Sequence, residues 1–284
     1  MSSDRFRGQV VWITGASSGI GRSLALAFAR AGARLILSGR DQQNLEAVRD
    51  ACRAPADVRL LPFDLASVSS LPEQAVRALG FWGRVDYMVH NAGVALRARV
   101  ADTPLELDQR VMATNYFGPL ALTKALLPSM LSRQSGAFVV VSSLSGKYGV
   151  PQLSSYAASK HALHGAFECL RAEVHDRNIR VTIVIPGFIR TPILNHAYTA
   201  DGAKYGKTMP AYERGMDPDV CAERILAAVA SGKEEEAIGG WELTSLYLKR
   251  FFPTLLSRIV RNHPVRWRKR LLRWLSLGST ARDD

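Results

Sequence analysis

The sequence predicts an α/β fold: a single doubly wound domain with a mostly parallel, seven-stranded sheet, followed by a C-terminal helical tail. Three observations lead to this prediction. Apolar runs of strand length alternate with helix-length segments up to about residue 240. A glycine-rich turn joins the first apolar run to the first helix. The residues beyond this alternation are strongly basic and are interrupted by prolines.

The first three elements form a βαβ unit. Residues 10–14 predict a buried strand, residues 20–31 predict a helix that ends at Gly32, and residues 34–38 predict a second strand. The turn before the helix consists of Gly15, Ala16, Ser17, Ser18, Gly19, Ile20 and Gly21. Its glycines would allow backbone amides to approach a pyrophosphate, which the positive end of the helix dipole also favours.

The end of the second strand bears on the choice of cofactor. In dinucleotide sites of this kind an acidic residue here binds the ribose 2′-hydroxyl of NAD, whereas a basic residue suits the 2′-phosphate of NADP. The strand continues into Arg40 with no carboxylate before it, so we expect NADP rather than NAD. Asp41 suits the N-cap of a following helix. The alternative for Arg40 is a solvated surface side chain.

The alternation of strands and helices continues along the chain. The remaining predicted strands are residues 58–63, 85–89, 137–141, 180–185 and 237–238. The remaining predicted helices are residues 67–79, 105–115, 118–131, 154–176 and 218–231. Ligands bind beyond the carboxyl ends of strands in such sheets. The residues at those ends include Asp64, Leu65, Asn91, Ala92, Gly93, Pro186 and Gly187.

A tyrosine and a lysine near the start of the helix at 154–176 form the predicted chemical centre. Tyr156 and Lys160 lie one turn apart on the same helix face. A positive charge within about 4–6 Å favours a phenolate, so we expect Lys160 to lower the pKa of Tyr156. Ser143 ends the preceding strand thirteen residues upstream of the tyrosine. Taken singly, Tyr156 and Lys160 would also fit an exposed pair on a helix surface, and Ser143 would fit a cap or turn former.

Taken in order, these segments resemble the tyrosine-dependent branch of the short-chain dehydrogenase/reductase family over roughly residues 8–240. The resemblance is carried by residues 14–21, Asn91-Ala92-Gly93, Asn115, Ser143, Tyr156-x-x-x-Lys160, and Pro186-Gly187 followed by Thr191. Residues 141–147 and the basic residue after the second strand are similar to the group that contains 11β-hydroxysteroid dehydrogenase. His90 departs from the family, which often has asparagine there.

The resemblance implies a Rossmann-type catalytic domain over residues 1–240 and a role for each matching residue. Tyr156 would exchange a proton with the substrate oxygen, Lys160 would lower its pKa and bind the nicotinamide ribose, and Ser143 would orient the carbonyl. Asn115 would hold a water that links Lys160 to solvent. The cofactor groove would include Gly15, Ser17, Ile20, Arg40, Asp64, Asn91 and Thr191. Asp64 and Asn115 also suit a helix cap and a helix terminator.

The predicted activity is that of an NADP(H)-dependent oxidoreductase. Hydride would pass between nicotinamide and a lipophilic ketone, aldehyde or secondary alcohol of the steroid, retinoid or long-chain lipid type. The alternative is a non-catalytic NADP(H)-binding protein that acts at a membrane or with a protein partner. We expect a homodimer or homotetramer. Residues 188–216, with three tyrosines and two glycines, predict a lid over an apolar site; the alternative is an ordinary long loop.

The tail, residues 241–284, carries most of the net charge of +12. Ten of the 37 basic residues lie between Leu243 and Arg282, and none of the acidic ones does. In the last part, Trp267, Leu271, Trp274 and Leu275 share one face of a helix opposite Arg266, Arg268, Lys269, Arg270 and Arg273. This pattern predicts either peripheral contact with anionic lipid or packing on the body or a second subunit. It favours no specific nucleic acid.

The remaining composition predicts a cytoplasmic protein without a metal. The chain has no apolar run of membrane-spanning length, and its start lacks the pattern of a signal peptide. Its three cysteines are widely spaced and indicate neither a disulfide framework nor a zinc site. His161, His164 and His175 predict surface or packing roles, because no ligand partners were evident at metal-binding spacing.

Overall fold

The computed structural model describes residues 3–261, in two compact units, one that ends at Leu243 and one that begins at Thr244. The strands of the first unit are β1 Val10–Thr14, β2 Arg34–Ser38, β3 Val58–Leu60, β4 Tyr87–His90, β5 Gly136–Val141, β6 Ile179–Pro186 and β7 Glu235–Ile238. They form one seven-stranded sheet in the order β3-β2-β1-β4-β5-β6-β7. Each neighbouring pair is parallel, so the predicted sheet is confirmed and its parallel character is complete.

Helices cover both faces of this sheet, as predicted for a doubly wound fold. They are α1 Gly19–Arg30, α2 Gln42–Asp50, α3 Leu71–Trp82, α4 Leu105–Met112, α5 Gly118–Arg133, α6 Ser154–Glu173, α7 Pro210–Glu213 and α8 Pro218–Ala230. One apolar core includes Phe28 of α1 and Ile225 of α8. The core on the other face includes Leu126 of α5 and Phe167 of α6. Continuous apolar strands are the expected result of burial on both faces.

The structure differs from the sequence prediction around β3 and α2. β3 ends at Leu60 instead of residue 63, although the N–H groups of Leu61 and Phe63 still donate to the carbonyls of Leu37 at 2.9 Å and Gly39 at 3.0 Å. The sequence indicates helix α2 only through the suggested N-cap at Asp41, and its extent was not predicted, since the segment is polar and only Leu45 and Val48 are buried. Its start confirms the proposed N-cap: Asp41 accepts a hydrogen bond from the Asn44 N–H at 3.0 Å.

The two helices predicted at residues 105–115 and 118–131 are joined without a break. α4 ends at Met112, and a π-helical turn, Ala113–Phe117, leads directly into α5. The turn places Asn115 at zero exposure. Wide turns of this kind occur in α-helices mostly as single insertions, frequently at functional sites.

The second unit contains two helices, α9 Thr244–Phe251 and α10 Pro253–Arg261. Pro253 is the first residue of α10, in agreement with the prediction that prolines divide the tail into separate helical segments. The amphipathic segment predicted at residues 266–275 lies outside the described residues, and the division into residues 1–240 and 241–284 stays a prediction. Within residues 3–261, helices fall short of the length and apolar character that crossing a bilayer requires.

Candidate active site

The glycine turn lies between β1 and α1, at the carboxyl edge of the sheet. Gly15 has a φ of +66°, and a Cβ there would lie 2.7 Å from the Ala92 Cα. A Cβ on Gly21 would lie 2.1 Å from the Gly15 carbonyl oxygen, a distance that no side chain can occupy. Glycine is therefore required at both positions, one for the turn and one for the close approach of α1 to it.

Asn91 joins this turn to the end of β4. Its Nδ2 donates to the Thr14 carbonyl at 3.0 Å and to the Gly15 carbonyl at 3.1 Å. The Thr14 hydroxyl oxygen accepts the backbone N–H groups of Asn91 at 3.2 Å and Ala92 at 3.3 Å. The two loops therefore form one hydrogen-bonded unit.

His90, the departure from the family pattern, points away from this unit into the core. Its Nε2 lies 2.8 Å from the Thr123 hydroxyl, and its ring stacks on Phe138 with a centroid separation of 6.1 Å. Burial lowers the pKa of His90 to about 3. The histidine is thus a neutral core side chain, and the Asn91 hydrogen bonds are intact beside it.

Ser143, Tyr156 and Lys160 converge where β5 ends and α6 begins. Tyr156 and Lys160 are buried. The Ser143 hydroxyl forms a hydrogen bond with the Tyr156 phenol. The Lys160 Nζ donates to the Val141 carbonyl at 2.8 Å and lies 5.8 Å from the centre of the Tyr156 ring. The spacing of one helical turn has therefore placed tyrosine and lysine on one face, as predicted.

The predicted direction of the tyrosine pKa is wrong for this structure. Burial raises the pKa of Tyr156, and the hydrogen bond from Ser143 opposes that shift only in part. Burial also lowers the pKa of Lys160 to about 8. Removal from water therefore sets the direction of both shifts, and the neutral phenol, the form that can donate a proton, is favoured.

Asn115 holds the loop after β4 against α6. Its Nδ2 donates to the Val94 carbonyl and to the Ser159 hydroxyl, both at 2.9 Å, and its Oδ1 accepts the Val94 N–H at 2.8 Å. Both amide protons are thus used within the protein. The predicted water-holding role of Asn115 stays a prediction.

A cleft of about 810 Å³ brings most of the predicted site residues together. Those that line it are Gly15, Ser17, Ser18, Gly19, Ile20, Arg40, Asp64, Leu65, Asn91, Ala92, Gly93, Ser143, Tyr156, Lys160, Pro186, Gly187 and Thr191. Gly21 and Asn115 are outside this lining. Asp64 does not cap α3; its Oδ1 accepts the Ala66 N–H at 3.0 Å and so shapes the turn after β3.

The sequence prediction placed Tyr212 only within the lid and gave Glu242 no role. Tyr212, named only as part of the lid, lines the cleft and packs edge-on against Phe188 at 5.2 Å. Burial raises its pKa, and the neighbouring Tyr156 adds to that shift. Glu242 is buried and accepts the N–H groups of Phe188 at 2.9 Å and Gly240 at 3.0 Å. No local pattern in the sequence indicates this contact.

The chain is similar to known proteins along most of its length. A family model described as short chain dehydrogenase matches residues 9–201. A Drosophila melanogaster protein, dehydrogenase/reductase SDR family protein 7-like, is 43% identical over 91% of this chain and 81% of its own. The Bos taurus dehydrogenase/reductase SDR family member 7B is 42% identical over 93% of this chain and 83% of its own.

Solved structures agree with this match. A short-chain dehydrogenase from Streptomyces avermitilis has a TM-score of 0.76 and 29% identity over 96% of this chain and 98% of its own. An alcohol dehydrogenase from Thermococcus sibiricus, complexed with 5-hydroxy-NADP, has a TM-score of 0.70 and 26% identity over 83% of this chain and 97% of its own. A short chain dehydrogenase/reductase from Burkholderia phymatum in complex with NAD shows the shared fold. Its TM-score is 0.78, with 23% identity over 88% of this chain and 95% of its own. The chain therefore belongs to the short-chain dehydrogenase/reductase family of oxidoreductases.

Proposed function

We propose that the protein is an NADP(H)-dependent oxidoreductase that acts on a lipophilic ketone, aldehyde or secondary alcohol. The observation that carries this proposal is that one cleft is lined both by the glycine turn and by Ser143, Tyr156 and Lys160. The solved relatives with NAD or 5-hydroxy-NADP support a nicotinamide cofactor. When bound, that cofactor supplies or accepts the hydride.

The residues of the cleft fit such a cofactor. The glycine turn and the start of α1 line the cleft, where backbone N–H groups and the positive end of the helix dipole favour a pyrophosphate. Tyr156 is placed to donate a proton to a carbonyl oxygen, and Ser143 to orient that oxygen through its hydroxyl. Lys160 contributes a positive charge beside Tyr156, with its Nζ 5.8 Å from the centre of the ring. Because burial favours the neutral phenol, Tyr156 is held in the form that donates a proton during carbonyl reduction.

The surroundings of Tyr156 support a lipophilic substrate. The tyrosine packs in a cluster with Ala95, Leu153 and Ala197, and Ile193 lies against them. Ala197 and Ile193 belong to the segment predicted as a lid, residues 188–216, and so does Tyr212 of the cleft lining. The cleft lining itself includes the apolar side chains of Ile189, Pro192 and Ile193. An apolar substrate would gain free energy by leaving water for them, at about 25 cal/mol per Å² of apolar surface.

Arg40 tests the choice between NADP and NAD. Asp41 beside it is used to cap α2, which leaves Arg40 as the side chain suited to a 2′-phosphate. In Arg40→Ala we expect the affinity for NADPH to fall about tenfold to a hundredfold, since a hydrogen bond to a charged group is worth about 1.5–3 kcal/mol. Affinity for NADH should not change. Fluorescence titration with both cofactors measures this, with Arg53→Ala, an exposed arginine outside the cleft, as the control. An unchanged ratio of the two affinities would remove the assigned role.

The alternative function is non-catalytic binding of NADP(H) at a membrane or with a protein partner. The presence of Ser143, Tyr156 and Lys160 in one cleft favours catalysis over this alternative. Nicotinamide absorbance during incubation with a panel of ketones and aldehydes separates the two. Turnover that depends on Tyr156 supports the enzyme. Tight NADPH binding, with wild type and Tyr156→Phe equally inert on every compound, supports the alternative.

We also propose that the basic tail makes peripheral contact with anionic lipid. Support comes from α9 and α10, where Phe251, Phe252 and Ile259 are more than half exposed and basic residues occupy the last turns.

Full-length protein should sediment with phosphatidylserine vesicles and not with phosphatidylcholine vesicles, because each basic residue near an anionic surface adds about 1 kcal/mol. A chain that ends at Leu243 keeps the buried Glu242 and should stay in the supernatant. Equal sedimentation of the two chains contradicts this contact. The homodimer or homotetramer stays a prediction.

A further inference from the structure

A buried histidine behind the catalytic residues has one ring nitrogen without a partner. His164 lies on α6, and its side chain is 8% exposed. Its Nε2 is 3.0 Å from the Ser142 hydroxyl oxygen. Among residues 3–261, the structure places no hydrogen-bond partner on its Nδ1. That atom faces two carboxylates, with Glu168 Oε1 at 3.7 Å and Glu235 Oε2 at 3.8 Å.

The hydrogen bonds of Ser142 bear on which ring nitrogen carries the proton. In the tautomer that can bind a metal, the Nε2–H of His164 donates to the Ser142 oxygen, and the Ser142 hydroxyl proton is directed at the Lys160 carbonyl 3.4 Å away. This tautomer leaves a lone pair on Nδ1. A nitrogen lone pair and two carboxylates therefore face one another across a small gap.

We propose that His164, Glu168 and Glu235 form a binding site for a divalent transition metal of the Zn²⁺ class. Their ligand atoms all lie within 4.8 Å of one another. Ligand bonds of about 2.0–2.1 Å in a tetrahedral zinc site set the ligand atoms about 3.3–3.5 Å apart. The two distances from His164 Nδ1 to the carboxylate oxygens, 3.7 and 3.8 Å, need to close by a few tenths of an ångström. The two glutamates are about half exposed and have room to make that movement.

The surroundings of His164 match those of a metal-binding histidine. A histidine that binds metal through one ring nitrogen ordinarily donates its other N–H to a fixed acceptor, which orients the ring. Here the acceptor is Ser142, the neighbour of Ser143. Gly146 completes the arrangement, because a Cβ there would lie 2.6 Å from the Ser142 Oγ and 3.0 Å from the His164 ring. The metal would fasten β7, which carries Glu235, to α6.

The sequence prediction of no metal overlooked both carboxylates. Glu168 is four residues after His164 on the same helix, and Glu235 approaches from β7, far along the chain. Lys147 is the competitor of the metal, because its Nζ lies 2.7 Å from the Glu235 Oε2. Metal binding has to displace this ammonium, so removal of Lys147 should strengthen it.

The test is isothermal titration of the full-length, untagged protein with ZnCl₂ in a buffer that does not chelate zinc. Wild type should bind zinc at one site. Glu235→Gln and His164→Ala should each lower the affinity by more than about a hundredfold, the upper end of what loss of an outer-shell partner costs. Lys147→Met should raise it. Glu234→Gln is the matched control, since Glu234 is the adjacent carboxylate and pairs with Arg171 at 3.6 Å.

Three results would overturn the proposal: no zinc binding by wild type, equal binding by wild type and Glu235→Gln, or loss of binding in Cys169→Ser, which would place the metal on the exposed thiol of α6. Glu235 is exposed enough for its substitution to leave the fold intact, so the test does not depend on the folding of His164→Ala. Loss in Glu235→Gln with retention in Glu234→Gln and Cys169→Ser supports the site.

Discussion

Tyr156→Phe is expected to lower kcat for carbonyl reduction by about a hundredfold to ten-thousandfold, the range that general acid catalysis contributes. The reason is the loss of the phenolic proton beside the substrate oxygen. The aromatic ring, which packs with Leu153 and Ala197, is retained. Binding of NADPH should therefore be unchanged. Steady-state turnover and NADPH titration measure the two quantities.

Tyr205→Phe is the matched control for this experiment. Tyr205 packs against the same apolar cluster as Tyr156, and Arg97 lies over its ring at 5.2 Å, but the residue is not part of the cleft lining. Loss of its hydroxyl should leave kcat close to that of wild type. If Tyr156→Phe keeps wild-type turnover, another group donates the proton and the role given to the tyrosine is wrong.

Lys160→Met is expected to abolish most activity and, at neutral pH, to make the protein more stable. The buried lysine has its pKa lowered from 10.5 to about 8, so at pH 7 the protonated form costs about 3 kcal/mol of folding free energy. Loss of the hydrogen bond to the Val141 carbonyl offsets about 1 kcal/mol of that gain. A net increase of about 2 kcal/mol in the free energy of unfolding should remain.

The pH dependence identifies the cause of this stabilisation. Between pH 8 and 10.5 the unfolded lysine binds more protons than the folded one, so wild-type stability rises relative to that of the variant. Urea unfolding at pH 7 and pH 10 should therefore show a large difference at the lower pH and little or none at the higher. Lys124→Met, at an exposed position on α5, should show no such change. A Lys160→Met variant that is less stable than wild type at pH 7 would contradict the cost assigned to burial.

The parts of the site that could be predicted from sequence are those fixed by local spacing. The turn from Gly15 to Gly21 follows from glycines placed between an apolar strand and a helix, and Tyr156 and Lys160 follow from the helical repeat. Strand ends such as Asn91 reach the cleft because parallel strands end at one edge of the sheet. Local pattern was therefore sufficient for most of the cleft.

What could not be predicted depends on burial and on contacts between distant residues. The pKa of Tyr156 rises because the folded chain removes the phenol from water, and helical spacing alone says nothing of that burial. Glu242 contacts the segment after β6 from more than fifty residues away. The extent of helix α2 beyond its suggested N-cap was missed because its burial comes from two side chains in a polar stretch. These features arise from tertiary packing.

The central claim is that this cleft transfers a hydride to a carbonyl carbon while Tyr156 supplies the proton. The most direct measurement uses NADPH that carries deuterium at the transferred C4 position, with a set of lipophilic ketones and aldehydes, and locates the label in the product by mass spectrometry. Deuterium is expected on the carbinol carbon with wild type, with a strongly reduced yield for Tyr156→Phe. Tight NADPH binding without labelled product from any of these compounds would contradict it.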